Sequence, residues 1–297
     1  MTMLAKLMQS YADLKLLNGL EGSCKTLISG VGFYRVSEGS GRQPLLYQSG
    51  IIVMGQGRKE IHLGDETVNY GPGDYLVLGV PLPLECEAFS ENNLPILGLS
   101  INVDPKLLHK LVNQLAEENY QPDAQLNLNS CLDLGIKSES INDKLDDAIK
   151  RLLVILHTDI EARILGPAIV EEIVFRVLKG ENGRVLFDLA RHDGHYARIA
   201  KVLNIMHREY AEPITVEALA EQANMSISGF HRAFRQVTTE TPLQYLKKVR
   251  LSKAKELIVT EGLRANDAAN QVGYHSPSQF SREFKRHFRA TPKSLLG

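Results

Sequence analysis

Between residues 24 and 103 apolar and polar positions alternate in short runs, and beyond that the apolar spacing changes to three and four. The alternating runs predict strands at 26–36, 45–48, 51–54, 59–63, 67–70, 75–78, 84–88 and 96–103. Turn signals separate them: Gly55-Gln56-Gly57, Gly64-Asp65 and Gly71-Pro72-Gly73-Asp74. Many short strands joined in this way predict a sandwich or small barrel of the jelly-roll type. After Asp104-Pro105 the pattern is helical, with runs at 106–119, 141–157 and 167–178 and a short continuation at 186–191. Ile141, Leu145, Ile149, Leu152 and Leu156 form one apolar stripe. Packing against the barrel and pairing with a second subunit are both adequate uses for such a stripe. Residues 1–20 mix Lys6, Asp13 and Lys15 among apolar positions, which predicts an amphipathic helix rather than a secretion signal.

The last third carries an internal repeat at an offset of fifty residues. Ser226, Phe230, Arg232, Phe234 and Arg235 fall on Ser276, Phe280, Arg282, Phe284 and Lys285; Thr241, Pro242 and Leu246 fall on Thr291, Pro292 and Leu296. Each copy reads as a helix started by its serine, which can accept from a free N–H of the first turn. The phenylalanines stand four apart and share a buried face. The opposite faces carry Ser228, His231, Arg232 and Arg235 in one copy, and Ser278, Gln279, Ser281, Arg282 and Lys285 in the other. A shorter helical run precedes each, at 215–220 and 267–272, with Asn224 and Gly273 at the turns, where a left-handed backbone is tolerated. Short helix, tight turn and polar-faced helix make a helix-turn-helix, here twice. Between the copies Thr241 caps a helix with Pro242 at its first position, running to about residue 259. Eighteen residues give a rod of roughly 27 Å, long enough to hold two reading helices about one DNA turn (~34 Å) apart. Lys247, Lys248, Arg250, Lys253 and Lys255 stud this rod, either solvated or touching phosphates.

Charge sharpens the division. The 297-residue chain has a net charge of −1, yet residues 195–297 carry +7 and residues 1–194 carry −8. A basic module joined to an acidic body fits nucleic-acid binding confined to one domain. The fold class is therefore α+β with two domains: 1–191, a barrel followed by helices, and 195–297, all helical. His192-Asp193-Gly194-His195 forms a polar hinge between them. No stretch reaches the roughly 18 apolar residues of a membrane span. Cys24, Cys86 and Cys131 have no paired spacing, which suits a reducing cytoplasm. Cys24 and Cys86 are candidates for a redox or electrophile sensor, with ordinary burial as the competing fate.

Residues 220–226 (Ala-Glu-Gln-Ala-Asn-Met-Ser) and 230–235 (Phe-His-Arg-Ala-Phe-Arg), followed by 241–246 (Thr-Pro-Leu-Gln-Tyr-Leu) and Arg250-Leu251, resemble the first half of the AraC/XylS DNA-binding domain. Residues 272–288, from Val272-Gly273-Tyr274 to His287-Phe288, together with Thr291-Pro292, resemble its second half. The family usually ends each reading helix with glycine, where this chain has Thr239 and Arg289. A Cβ in a left-handed cap costs on the order of 1 kcal/mol, so these two helix ends are expected to differ in geometry. Gly64-Asp65-Glu66 with Tyr70-Gly71-Pro72-Gly73-Asp74 looks like a cupin, and the region resembles the AraC-type N-terminal sensor.

The resemblance implies a transcription regulator without enzymatic activity, whose cupin-like domain binds a small effector. Base contacts are expected from Ser228, His231, Arg232, Ser278, Gln279, Ser281 and Arg282, and phosphate contacts from Arg235, Lys285 and Arg286. Because the two faces differ, one monomer should bind a directional, non-palindromic site. Double-stranded DNA is the partner; a small-molecule effector, RNA polymerase and a second copy of the chain are further candidates. A second reading keeps DNA binding but makes the N-terminal domain only a dimerisation or polymerase platform. A third is a cupin enzyme fused to a DNA-binding tail. Against the third, the strands offer His62 alone, and no H-x-H, H-E-x-x-H, C-x-x-C or phosphate-loop pattern occurs. No cofactor or catalytic residue is assigned, and no effector-binding residue is named.

Overall fold

Strand pairing between residues 22 and 140 builds two sheets in the computed structural model, which describes residues 2–63, 66–120, 136–181, 183–190 and 194–295. The strands are β1 (Gly22–Lys25), β2 (Val31–Val36), β3 (Ser40–Tyr47), β4 (Gly50–Gln56), β5 (Arg58–Leu63), β6 (Glu66–Tyr70), β7 (Asp74–Leu78), β8 (Leu82–Phe89), β9 (Ile96–Ile101) and β10 (Lys137–Ser140). One sheet has the order β1-β2-β9-β4-β7-β10 and the other β3-β8-β5-β6. The expected strand at 26–36 is in fact two. Thr26 Oγ1 donates to the carbonyls of Ile28 and Val31, and Gly30 at φ 80° turns the chain between β1 and β2. Alternation did not reveal β10, whose four residues Lys137-Ser138-Glu139-Ser140 are all polar; it is held by pairing with β7.

The helices are α1 (Met3–Leu14), α2 (Pro105–Glu117), α3 (Asp143–Ile155), α4 (Asp159–Leu178), α5 (Gly183–Ala190), α6 (His195–Arg208), α7 (Val216–Gln222), α8 (Ile227–Thr238), α9 (Pro242–Glu261), α10 (Ala265–Gln271) and α11 (Pro277–Phe288), followed by a 3-10 turn at Pro292–Leu295. The chain divides into two compact units. One comprises Met1–Arg42, Gln48–Val80 and Cys86–Arg191, the other Gln43–Tyr47, Pro81–Glu85 and His192–Gly297.

In the first unit, one face of the six-stranded sheet packs on α1–α5. Phe33, Ile51, Val53, Leu99 and Ile101 meet Met8, Tyr11, Leu152, Ile173 and Val174 in a single core. The expected stripe on α3 is spent there: Leu145, Ile149, Leu152 and Leu156 are buried in that core and Ile141 packs against it. Helix α4 begins at Asp159, eight residues ahead of Pro167, where the run was expected to start. Acidic Asp159 and Glu161 favour the first turn. Ala162 and Gly166 lie flat against the core, where a Cβ at Gly166 would come 2.7 Å from Ile28. This packing outweighs the hydrogen bond lost at Pro167. Of the hinge at 192–195, residues 192 and 193 lie outside the described residues; α6 starts at its last residue, His195.

In the second unit the expected caps at Ser226, Thr241 and Ser276 are in place, and Thr215 adds another. Thr215, Ser226, Thr241 and Ser276 accept from the backbone N–H of Ala218, Gly229, Gln244 and Gln279. Helix α9 runs two residues past the expected end and stops at Gly262, which is left-handed. Asn224 (φ 51°) and Gly273 (φ 82°) make the two turns. The expectation for Thr239 and Arg289 needs correction: both adopt the left-handed cap, at φ 61° and 55°, as glycine would. The local strain is outweighed by the following segments, where Thr241-Pro242 and Thr291-Pro292 each start a new turn. Thr239→Gly and Arg289→Gly should each therefore stabilise the protein by about 1 kcal/mol. Urea unfolding of the full chain measures this, and an unchanged or lower midpoint would show the caps to be unstrained.

Candidate nucleic-acid interface

The aromatic pairs dictate which way each reading helix faces. Phe230 and Phe234 are fully buried with ring centroids 5.5 Å apart, and Phe280 and Phe284 repeat the arrangement at 5.4 Å. With those positions inward, residues 228, 231, 232 and 235 occupy an arc of about 100° on the far side of α8. Ser228, Arg232 and Arg235 are exposed there, and His231 is half-buried. On α11, Ser278, Gln279, Ser281, Arg282, Lys285 and Arg286 are all exposed. Among the described residues, Arg232, Arg235, Arg282, Lys285 and Arg286 form no ion pair. Ser228 Oγ lies 3.4 Å from Ser226 Oγ, and the Gln279 amide donates to Glu283 at 3.4 Å.

The cations of α9 are used differently. Arg250 donates to the carbonyls of Tyr210 (2.6 Å), Glu212 (2.9 Å) and Gly273 (3.3 Å). One guanidinium thus ties the segment before α7 to the turn between α10 and α11. Lys247 pairs with Glu283 at 3.2 Å, Lys248 with Glu240, and Lys253 with Glu256 at 2.7 Å. Lys255 sits 5.0 Å from the Phe288 ring centroid. The first turn has matching support: Arg198 donates to the Asn224 carbonyl (3.3 Å) and Lys201 to that of Gln222 (3.4 Å). Helix periodicity gave no sign of the roles of Arg250, Arg198 and Lys201, because their acceptors are backbone carbonyls distant in sequence.

Glu283 is a further residue the sequence did not single out. Burial alone would raise its pKa, but hydrogen bonds from Tyr274, Gln279 and Lys247 outweigh that and hold it below the usual carboxylate range. Tyr274 donates to it at 2.8 Å. Helix α11 is thereby pinned to α9 and to the turn before it, with its cationic face outward.

The description "AraC-type transcriptional regulator N-terminus" matches residues 27–185, more than half of the chain. The chain belongs to the AraC-type transcriptional regulators. A helix-turn-helix description matches residues 219–297. Over 98 residues the chain is 41% identical to the transcriptional regulator AlkR of Acinetobacter baylyi, covering 33% of this chain and 32% of that protein. It is 30% identical over 99 residues to the transcriptional activator RhaS of Escherichia coli, covering 33% and 36%. The chain thus matches about a third of the length of these curated relatives. ToxT of Vibrio cholerae has the same fold at TM-score 0.61 and 12% identity, over 90% of this chain and 97% of that one; another ToxT structure is described as bound to an unsaturated fatty acid.

Within the barrel of this AraC-type regulator, His62 is not alone. Its Nε2 lies 3.8 Å from Glu87 Oε2 and its Nδ1 3.4 Å from Thr67 Oγ1, and potential ligand atoms of Glu60, His62 and Glu87 lie within 4.8 Å of one another. Glu60 and His62 share a strand face; Glu87 joins them through strand packing, which sequence spacing cannot show. Arg58 already occupies a Glu60 oxygen at 2.5 Å. Burial raises the Cys24 thiol, which makes it a poorer thiolate source, and Cys86 is buried. Cys131 lies outside the described residues. Among the described residues no helix is long and apolar enough to cross a membrane.

Two outcomes are expected. Arg250→Ala removes three hydrogen bonds to carbonyls and should cost about 2–4 kcal/mol in urea unfolding. Arg250→Lys should recover only part of it, and full stability in the alanine variant would disprove the clamp. His207, whose Nε2 is 2.7 Å from the Tyr245 hydroxyl, is pushed down to about 4, first by burial and then by the Lys253 charge. Its pKa in the unfolded chain is about 6.5, so between these values the unfolded state holds the extra proton. This contribution is complete above that upper value and is lost as pH falls toward the lower one. Between pH 7 and 5 the wild type should lose about 2 kcal/mol more than His207→Phe, measured by denaturant unfolding at each pH.

Proposed function

We propose that the protein is a sequence-specific DNA-binding transcription regulator working in the cytoplasm, with no enzymatic activity of its own. Residues 195–297 are the DNA-binding domain and residues 1–191 the sensor. Helices α8 and α11 lie in successive major grooves, the placement a helix-turn-helix gives its second helix. The observation that carries the reading is the pair of exposed faces, where the arginines and lysines are left without internal acid partners while those of α9 are taken up. Ser228, His231 and Arg232 read bases through α8, and Ser278, Gln279, Ser281 and Arg282 through α11. Arg235, Lys285 and Arg286 contact phosphates. The faces are unlike, so the bound site has a direction.

The sensor binds a small organic effector and so biases how the DNA-binding domain acts. Membership of the family supports this, as does the fold shared with ToxT, which has been solved with a fatty acid. An effector changes DNA binding only by the difference in its affinity for two states of the protein.

Selection of bound fragments from random duplex DNA, followed by gel shifts, tests the reading. Arg232→Ala and Arg282→Ala should each cost about 1–3 kcal/mol of specific binding and relax preference at different ends of the site. Lys285→Ala should instead weaken all sequences alike and reduce the salt dependence by about one counterion. Unchanged specificity in both arginine variants would show these faces to be misassigned.

A further inference from the structure

Lys59 lies on β5 with only 6% of its surface exposed. Lysine is almost never buried to this degree without an anionic partner. Here it has no hydrogen-bond acceptor and no carboxylate among the described residues. Its Nζ stands 3.8 Å from the centroid of the Tyr34 ring on β2, so it reaches from the four-stranded sheet to the facing six-stranded one. Pairing along β5 and β6 puts Lys59 opposite Tyr70 and Ile61 opposite Val68, all on one face and otherwise free of charge.

The wall that Lys59 faces is only partly filled: Met54, paired with Gly98, is buried there, and its sulfur would stand 3.2 Å from a Cβ at Gly98. Tyr34 pairs with Gly98 and Gly32 with Ser100, placing two glycines and a serine beside the ring. Ile52, opposite Ser100, continues the same face. Gly32, Tyr34, Ile52 and Ser100 all keep some solvent exposure, whereas Val31, Phe33, Ile51, Val53, Leu99 and Ile101 on the reverse face are buried. A buried cation thus faces a wall that is partly exposed at Gly32, Tyr34, Ile52 and Ser100 and closed at Met54 and Gly98.

We propose that Lys59 anchors the carboxylate of a small, otherwise apolar effector held between the two sheets; this rests on the effector reading above. A monoanion matches the single cation, whereas a phosphate monoester would bring a second, uncompensated charge into the same apolar surroundings. The Tyr34 ring holds the ammonium by a cation–π contact until the ligand arrives. Burial pushes the Lys59 ammonium down to about 8, with the nearby Cys86 opposing slightly. Binding a carboxylate therefore restores a full proton to Lys59 at alkaline pH.

Isothermal titration of the full chain with sodium decanoate and sodium 4-phenylbutyrate, and with 1-decanol as the neutral control, tests this. At least one acid should bind the wild type at pH 7, and decanol should bind more weakly. Lys59→Met should weaken the acid at least tenfold and leave decanol unchanged, while Lys59→Arg, which keeps the charge, should retain binding. On the wild type alone, affinity for the acid should fall about tenfold between pH 7 and pH 9, with proton uptake seen in buffers of different ionisation heat. Equal binding of decanol and acid, an unaffected Lys59→Met, or a flat pH profile overturns the anchor while leaving the effector reading standing. Failure of all three probes to bind overturns the anchor and also counts against an effector. DNA binding, measured on the same preparations, is judged separately by gel shift.

Discussion

The burial of two phenylalanine pairs fixes the orientation of both reading helices, and the proposed interface depends on it. Phe230 with Phe234 and Phe280 with Phe284 occupy one side of their helices and bring ring centroids to about the same separation in each copy. A helix with two such side chains one turn apart has little rotational freedom, because turning it would expose aromatic surface worth several kcal/mol. The polar positions are then outward by geometry. Phe234 extends the first cluster to Tyr245 of α9 at 5.6 Å, and Tyr274 extends the second at 5.3 Å from Phe280. The same packing that stabilises each half therefore sets the direction of its arginine.

Electrostatics divides the basic residues of the second unit into two populations. Those of α9 are satisfied from within, by Glu283, Glu240 and Glu256 and by three backbone carbonyls. Those of α8 and α11 are left in solvent. A surface ion pair contributes little to stability, so the pairs on α9 matter less as glue than as geometry. Arg250 is the exception, since it donates to three backbone carbonyls at turns far apart in sequence. Net charge alone could not separate the populations; it marks the domain as basic and goes no further.

The double helix-turn-helix was legible in the sequence because its signals are local. Serine and threonine caps, phenylalanines four apart and turn residues at Asn224 and Gly273 all act within a few positions of one another. Most strands were legible for the same reason, through alternation. What alternation missed needed long-range pairing: β10 is polar throughout and exists because β7 offers it an edge. Pro167 misled because a local rule on helix starts was overridden by packing of Gly166 on Ile28. The caps at Thr239 and Arg289 show the same hierarchy, since the local cost of a Cβ did not change the backbone path. On the interface, which positions of α8 and α11 face outward was legible, but the clamp by Arg250 and the pinning of α11 by Glu283 were not, because both run between segments far apart in sequence.

The barrel presents the opposite case, in which the informative residue breaks the pattern. At position 59 the alternation of β5 points inward, and the sequence places a lysine there between exposed Arg58 and half-buried Glu60. An apolar side chain would fill that volume without desolvating a charge, as Ile61 does two residues on. Burying an unpaired ammonium costs the empty protein stability. An incoming carboxylate removes that penalty only where it meets Lys59, so part of its affinity is the relief of a strain already stored in the unliganded barrel. A neutral ligand of the same shape would gain contacts but not that relief. Selectivity for charge is therefore built into the resting state of the protein, before any conformational response is considered.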